Sequence, residues 1–187
     1  MDLVLFGIQG SGKGTQAKKL AAEFGYDIFE AGGELRKIAA SGSELGTKVK
    51  SFIDQGHLVP FEIIMEVVKT AILARPKTQK ILFDGIPRDG NQQKSFDGIL
   101  KDAGREFRCI HLKLDAEEGV KRILGRAKTE GRADDADESI IRRRMNTFTE
   151  KTLPVITDYV KRGLVTEIDG MKGVDEVYAD MKKVATL

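Results

Sequence analysis

The sequence GIQGSGKGT at residues 7–15 constrains this chain more than any other segment. It follows the apolar run LVLF and precedes QAKKLAAEF, whose apolar residues recur at helical spacing. Glycines let successive backbone N–H groups turn inward around an anion, and a helix beginning there adds the positive end of its dipole. Lys13 supplies an ammonium group for terminal phosphates. The segment therefore predicts a phosphate-binding P-loop between a strand and a helix.

Short apolar runs alternate with longer helical stretches along the chain. LVLF, DIF, ILFD, CIHLKL and LVTEI are each followed by a segment with helical periodicity. This alternation is typical of crossover units on a parallel sheet with helices on both faces. A length of 187 residues suits one such domain. We therefore expect an α/β fold of the P-loop NTPase type, with a doubly wound five-stranded parallel sheet in a single domain spanning residues 1–187.

Two segments are expected to be insertions at the carboxyl edge of this sheet, where ligands bind in such folds. The first, residues 31–59, contains two helical stretches joined by SGSELG and precedes a helix that begins near Pro60. The second, residues 126–138, reads RAKTEGRADDADE and is polar and punctuated by glycine. Such a segment suits a short lid over anionic ligands, with a solvated loop as the alternative.

Composition limits the classes of partner and the cellular location. The chain has 31 Lys and Arg against 29 Asp and Glu, so its net charge is only +2 and any anion site must be local. No apolar run approaches the roughly 20 residues of a membrane-spanning helix, and the N-terminal residues do not form a signal peptide. Cys109 is the single cysteine and is expected to be buried in a strand. We expect a cytoplasmic protein that binds neither nucleic acid nor membrane.

Charged residues near the predicted strand ends indicate phosphate chemistry. Asp84 ends the apolar run in KILFDGIPR, where a carboxylate can hold waters of Mg²⁺, although capping the strand end is the alternative. Arginines lie beside glycine or proline in ILGR, EGR and IPR, and a guanidinium binds phosphate oxygens bidentately. Phosphoryl transfer depends on alignment and charge neutralisation rather than on a protein nucleophile. Together with the P-loop, these residues favour a phosphoryl-transfer enzyme.

A series of motifs follows in order along almost the whole chain: GIQGSGKGTQ, GGELR, SGSELG, QGHLVP, FDGIPR, RILGR, GRADD and PVITDY. Together they resemble the adenylate kinase family, and the short segment between RILGR and ADD is similar to that of its short-lid members. The resemblance implies a kinase domain with a nucleoside-monophosphate-binding insertion at 31–59 and a short lid at 126–138. It also implies reversible, Mg²⁺-dependent transfer of a phosphoryl group from ATP to AMP, giving two ADP, by a monomer or small homo-oligomer.

The resemblance assigns roles to individual residues. ATP would be bound by Gly10, Ser11, Gly12, Lys13, Gly14, Thr15, Arg122, Arg126 and, through its backbone, Lys172. AMP would be bound by Ala31, Arg36, His57, Leu58, Val59, Gly85, Arg88, Gln92, Arg132 and Arg144. The catalytic residues would be Lys13, Arg88, Arg122, Arg132 and Arg144. Asp84 would hold Mg²⁺ through water, and Gln92 would contact the base edge of the acceptor.

The arginine of the lid helix has three candidates in IIRRRM. Counting forward from Arg132 favours Arg143, whereas counting back from TFTEKTLPVI favours Arg144. We choose Arg144, which requires a one-residue insertion in the lid.

Several positions depart from the family pattern, and they leave the acceptor open. Gln9 replaces a proline of the loop, Ile86 replaces a phenylalanine, and Gly33 stands in place of an aspartate, with Glu34 adjacent. Ala31, in place of threonine, is similar to the uridylate–cytidylate kinases. A UMP/CMP kinase or a broad-specificity nucleoside monophosphate kinase is therefore the alternative, opposed by Gln92, where those enzymes have asparagine. A P-loop binding protein without activity is the alternative from another class, and the retained Lys13, Asp84 and arginines argue against it.

Overall fold

The structure, a computed structural model, describes residues 1–130 and 137–186. Five strands form one sheet in the order β2-β3-β1-β4-β5, and every neighbouring pair is parallel. The strands are β1 (Asp2–Phe6), β2 (Asp27–Glu30), β3 (Ile81–Asp84), β4 (Phe107–Lys113) and β5 (Val165–Asp169). The predicted five-stranded parallel sheet is confirmed.

Helices connect the strands as the crossover pattern requires. They are α1 (Lys13–Phe24), α2 (Ala31–Ala39), α3 (Glu44–Asp54), α4 (Phe61–Leu73), α5 (Gly90–Asp102), α6 (Ala116–Glu130), α7 (Glu138–Thr147), α8 (Leu153–Lys161) and α9 (Val174–Ala185), with a π-helical turn at Phe148–Thr152. Within the described parts of the chain, none of these helices has the length and apolar character needed to cross a membrane.

The centre of the sheet is buried on both faces, and successive strand residues point to opposite sides. In β1, Val4 and Phe6 pack into the core cluster that contains Phe83 and Cys109, whereas Leu3 and Leu5 pack into a second cluster. All five β1 residues are buried. This explains the continuous apolar run in the sequence, and the predicted burial of Cys109 is confirmed.

The carboxyl ends of the central strands meet at one edge of the sheet. There the P-loop follows β1, and Asp84 ends β3. Asp84 pairs in register with Leu5 of β1 on one side and with Glu30 of β2 on the other. Since paired residues of neighbouring strands point to the same face, the two carboxylates lie on the same side of the sheet.

The first predicted insertion is described in full by the structure, and the second only in part. Residues 31–59 contain α2 and α3, and Pro60 precedes α4. Helix α6 continues to Glu130, so the first five residues of the predicted lid segment are helical rather than part of a loop. Their helical extension is consistent with the absence of a breaker in RAKTE before the next glycine. Arg132, the predicted lid arginine, lies outside the described residues.

Candidate active site

The P-loop is closed by its own lysine. Nζ of Lys13 donates hydrogen bonds to the backbone oxygens of Gly7, at 2.7 Å, and of Ile8, at 3.0 Å. Gly10 has a φ of +82°, and a Cβ there would lie 2.7 Å from the backbone oxygen of Gly119. Glycine is therefore needed at this position for both conformation and space. The loop geometry is thus held by contacts of Lys13 within the loop and by close packing against Gly119.

A cleft of about 380 Å³ opens above the P-loop. Among the predicted site residues, it is lined by Gly10, Gly12, Lys13, Gly14, Thr15, Arg36, Leu58, Asp84, Gly85, Arg88, Arg122, Arg126 and Arg144. Ser11 is buried beneath the loop, where its Oγ lies 3.4 Å from Nζ of Lys13. The fold therefore brings the predicted phosphate-binding groups of the described residues to one place.

A smaller pocket joins this cleft. It is lined by all the predicted AMP-binding residues that the structure describes: Ala31, Arg36, His57, Leu58, Val59, Gly85, Arg88, Gln92 and Arg144. The three arginines in this list, Arg36, Arg88 and Arg144, also line the P-loop cleft. The two cavities therefore meet at a group of guanidinium side chains.

Two cations of the cleft, Lys13 and Arg88, lose hydration through burial. Burial lowers the pKa of Lys13, although the nearby Asp84 carboxylate opposes this effect. Burial lowers the pKa of Arg88, and the positive charge of Arg144 lowers it further. Clustered cations without full hydration gain more from an incoming anion than exposed cations do. The electrostatics therefore favour a ligand with several negative charges.

Two carboxylates, those of Asp84 and Glu30, lie beside each other in the cleft. Burial raises the pKa of Asp84, Lys13 opposes this effect, and the charge of Glu30 adds to it. Glu30 also lines the cleft and accepts a hydrogen bond of 2.7 Å from Arg36. Glu30 was not among the site residues predicted from the sequence. The signal that could have identified Glu30 is its position at the end of β2. Glu34, the carboxylate next to Gly33 in the sequence, instead pairs with Lys37 on α2.

Gln92 is buried at the start of α5, behind the smaller pocket. Asp89 caps this helix, since its Oδ1 accepts hydrogen bonds from the backbone N–H groups of Asn91 and Gln92, each at 2.9 Å. Oε1 of Gln92 in turn accepts a hydrogen bond of 2.8 Å from the backbone N–H of Arg88. This bond fixes the orientation of the Gln92 amide, because only its oxygen can accept from an N–H group.

The three consecutive arginines of α7 have different surroundings. Arg142 pairs with Glu117 and Glu138 on the protein surface. Arg143 donates to the backbone oxygen of Gln55. Arg144 lines both cavities. This geometry is consistent with Arg144 as the site arginine of the lid helix.

The segment between β5 and α9 is held by residues near the P-loop. Nη1 of Arg122 donates to the backbone oxygen of Gly170 at 3.1 Å, and Nε2 of Gln16 donates to that of Val174 at 2.8 Å. Lys172, within this segment, pairs with Asp180 and lines neither cavity. Gln16 was not among the site residues predicted from the sequence, because its contact with Val174 depends on the packing of α1 against α9.

Because these phosphate-binding groups converge at the carboxyl edge of a parallel sheet, the protein is of the P-loop phosphotransferase class. The family model described as adenylate kinase matches residues 5–164. The chain belongs to the adenylate kinase family.

Curated relatives agree with this assignment over nearly their full lengths. The chain is 39% identical to an adenylate kinase of Maricaulis maris over 180 residues, covering 96% of this chain and 95% of that one. It is 37% identical to an adenylate kinase of Thermus thermophilus over 181 residues, covering 96% and 94% of the two chains. It is also 37% identical to adenylate kinase isoenzyme 1 of Cyprinus carpio over 175 residues, covering 93% and 88%.

Proposed function

We propose that the protein catalyses the reversible, Mg²⁺-dependent transfer of a phosphoryl group from ATP to AMP, giving two ADP. The observation that carries this proposal is the junction of the P-loop cleft and the smaller pocket at Arg36, Arg88 and Arg144. Two nucleotides that enter the two cavities would bring their phosphates together at these guanidinium groups. The adenylate kinase relatives support the proposal and do not favour a UMP/CMP kinase.

On the donor side, the P-loop would bind the ATP phosphates through its backbone N–H groups and the amino-terminal dipole of α1. Lys13 would exchange its bonds to the backbone oxygens of Gly7 and Ile8 for phosphate oxygens. Arg122 and Arg126 would add charge from α6. The backbone of the segment at Lys172 would contact the base, and the ties from Arg122 and Gln16 support a fixed position for that segment.

On the acceptor side, Arg36 and Arg88 would hold the monophosphate, and Gln92 would contact its base. An oxygen of the AMP phosphate would attack the terminal phosphorus of ATP, while the bond from that phosphorus to the bridging oxygen of ADP breaks. The attacking oxygen is already ionised, so no protein base is required. Lys13, Arg88, Arg122, Arg132 and Arg144 would neutralise the charge that spreads over the transferring group.

Mg²⁺ would supply positive charge that offsets the negative charge of the nucleotide phosphates. Within the described residues, no group of three or more metal-ligating side chains is present. A cation held mainly by phosphates and waters fits such a site better than one held by a protein cage. Asp84 fits the role of binding the waters of this ion, because it is buried and lines the cleft next to Lys13.

The segments 31–59 and 126–138 would act as the acceptor-binding insertion and the short lid. Their closure would exclude water, which competes with AMP as a phosphoryl acceptor.

We also propose that the protein is a cytoplasmic monomer or small homo-oligomer that acts on free nucleotides. It would bind neither nucleic acid nor membrane, and the net charge of only +2 supports the exclusion of nucleic acid. Light scattering during gel filtration measures the oligomeric state.

A coupled assay of ADP formation from ATP tests the proposed function. AMP, CMP, UMP and GMP are compared as acceptors, with and without Mg²⁺, and ATP is compared with GTP as the donor. We expect AMP to give the highest kcat/KM and expect transfer to require Mg²⁺. A native enzyme that phosphorylates CMP or UMP at least as efficiently as AMP would disprove the adenylate kinase activity. Tight nucleotide binding without turnover would disprove any kinase activity.

A further inference from the structure

The turn that follows α3 lies against α7. Nη1 of Arg143 donates a hydrogen bond of 2.7 Å to the backbone oxygen of Gln55 and lies 3.3 Å from Nε2 of His57. Gln55 follows the last residue of α3, so its carbonyl oxygen lies at the negative end of that helix dipole. A guanidinium group at this position makes a charge-assisted hydrogen bond, which is stronger than a neutral one. Arg143 therefore links the lid helix to the acceptor insertion.

Gly56 allows this turn to approach α7 closely. Its φ is +70°, in the left-handed region that favours glycine after a helix. A Cβ at this position would lie 3.0 Å from Cγ2 of Ile140 and 3.3 Å from Cγ of Arg144. A larger residue would therefore push the turn away from α7. The turn after α3 and helix α7 are therefore in close contact at Gly56.

The smaller pocket opens between the turn and α7. Gly56 and His57 line it from the turn, and Arg144 lines it from the helix. Arg143 itself lines neither this pocket nor the P-loop cleft. Arg143 thus joins the turn and the helix that together line this side of the pocket.

We propose that Arg143 is a positioning residue that latches the insertion at 31–59 onto α7 and sets the width of the acceptor pocket beside Arg144. The proposal rests on the proposed function in taking AMP as the acceptor. Without the latch, the insertion occupies open positions for more of the time, and the apparent affinity for AMP falls with the fraction of closed molecules. We expect the affinity for ATP to change little, because the P-loop between β1 and α1 belongs neither to the insertion nor to α7.

Steady-state kinetics test this assignment. Arg143→Ala raises the KM for AMP by about threefold to tenfold, the effect of losing one solvent-exposed hydrogen bond, and leaves the KM for ATP almost unchanged. Arg143→Lys restores most of the affinity for AMP, because an ammonium group can also donate to the oxygen of Gln55. Arg142→Ala is the matched control, because Arg142 pairs with Glu117 and Glu138 rather than with the turn. Its KM for AMP stays at the parental value.

A distance measurement without nucleotide tests the latch independently of the acceptor. Cys109 is the single cysteine and is buried, so spin labels react at cysteines introduced by Lys48→Cys and Asn146→Cys on the exposed faces of α3 and α7. We expect Arg143→Ala to lengthen and broaden the distance distribution and Arg142→Ala to preserve it. The proposal is wrong if either the KM for AMP or the distance distribution of Arg143→Ala matches the parent. Failure of the proposed function would appear separately, as a parental enzyme that does not phosphorylate AMP.

Discussion

The backbone N–H of Arg88 and the side-chain oxygen of Gln92 form a 2.8 Å hydrogen bond, which joins a predicted phosphate-binding residue to the predicted base-contacting residue. The bond occupies the amide oxygen of Gln92, whereas its Nε2 makes no hydrogen bond within the described part of the chain. The amide therefore presents a donor to the pocket. A glutamine amide has both a donor and an acceptor, and the bond to Arg88 leaves mainly the donor for the base.

This orientation predicts the order of acceptors. Adenine and cytosine have an unprotonated ring nitrogen that can accept from Nε2 of Gln92, whereas the corresponding nitrogens of uracil and guanine carry a hydrogen. We expect AMP to be the best acceptor and CMP to exceed UMP by about fivefold or more in kcat/KM, because an unpaired buried donor costs about 1–3 kcal/mol. Efficiencies for the four monophosphates decide this. UMP equal to CMP would contradict the donor orientation.

Two substitutions separate the contributions to base selection. Gln92→Asn shortens the side chain and should shift the ratio of efficiencies toward the smaller pyrimidines. Ala31→Thr adds a hydroxyl group beside the pocket and should sharpen the preference for AMP. The ratio of kcat/KM for AMP to that for CMP measures both effects. An unchanged ratio in both variants would exclude these residues from base recognition.

Lys13→Met should abolish most transfer without unfolding the protein. The substitution removes the cation from the phosphates and keeps an aliphatic stem of similar length. We expect kcat to fall by at least ~10²-fold, the scale of losing one preorganised charge contact. Circular dichroism confirms that the variant is folded. Near-normal turnover in the folded variant would refute the P-loop assignment.

Asp84→Asn should stabilise the nucleotide-free protein at neutral pH. Burial raises the pKa of Asp84 in the folded state, so the ionised carboxylate costs stability above that raised pKa. The cost disappears as the pH falls below the ordinary pKa of the unfolded chain, about 3.9, because both states are then protonated. Urea unfolding should therefore show a gain for the variant at pH 7 and almost none near pH 3. A variant less stable than the parent at pH 7 would contradict the raised pKa.

Asp2→Asn should destabilise the protein without altering the site. Asp2 and Arg105 form an almost completely buried ion pair at 3.0 Å, and Asp2 also accepts a hydrogen bond from the backbone N–H of Ile81. Removing one partner of such a pair costs about 3–5 kcal/mol, because the other charge stays buried. Asp175→Asn, which breaks the exposed pair with Lys19, is the control and should cost at most about 1 kcal/mol. Equal unfolding free energies for the two variants would contradict this account.

Local signals in the chain predicted the sheet and the phosphate-binding loop. The shape of the loop depends on residues that are close together in the chain, because the glycines set its backbone conformation and Lys13 donates to the backbone oxygen of Gly7. Burial of the central strands was readable because a strand of a parallel sheet that is covered on both faces is apolar at almost every position, as in β1. The end of α6 was less well predicted, because polar residues are common in both exposed helices and loops.

The sequence by itself determined the fold class and the family, because each is encoded in short contiguous patterns. Only the tertiary structure decided which charged groups meet. Register across β2 and β3 set Glu30 beside Asp84, and the packing of α7 separated Arg143 from Arg144 although they are adjacent in the chain. The physical reason is that the direction of a side chain depends on the pleat or helical turn beneath it and on the element packed opposite, and spacing along the chain records only the first of these.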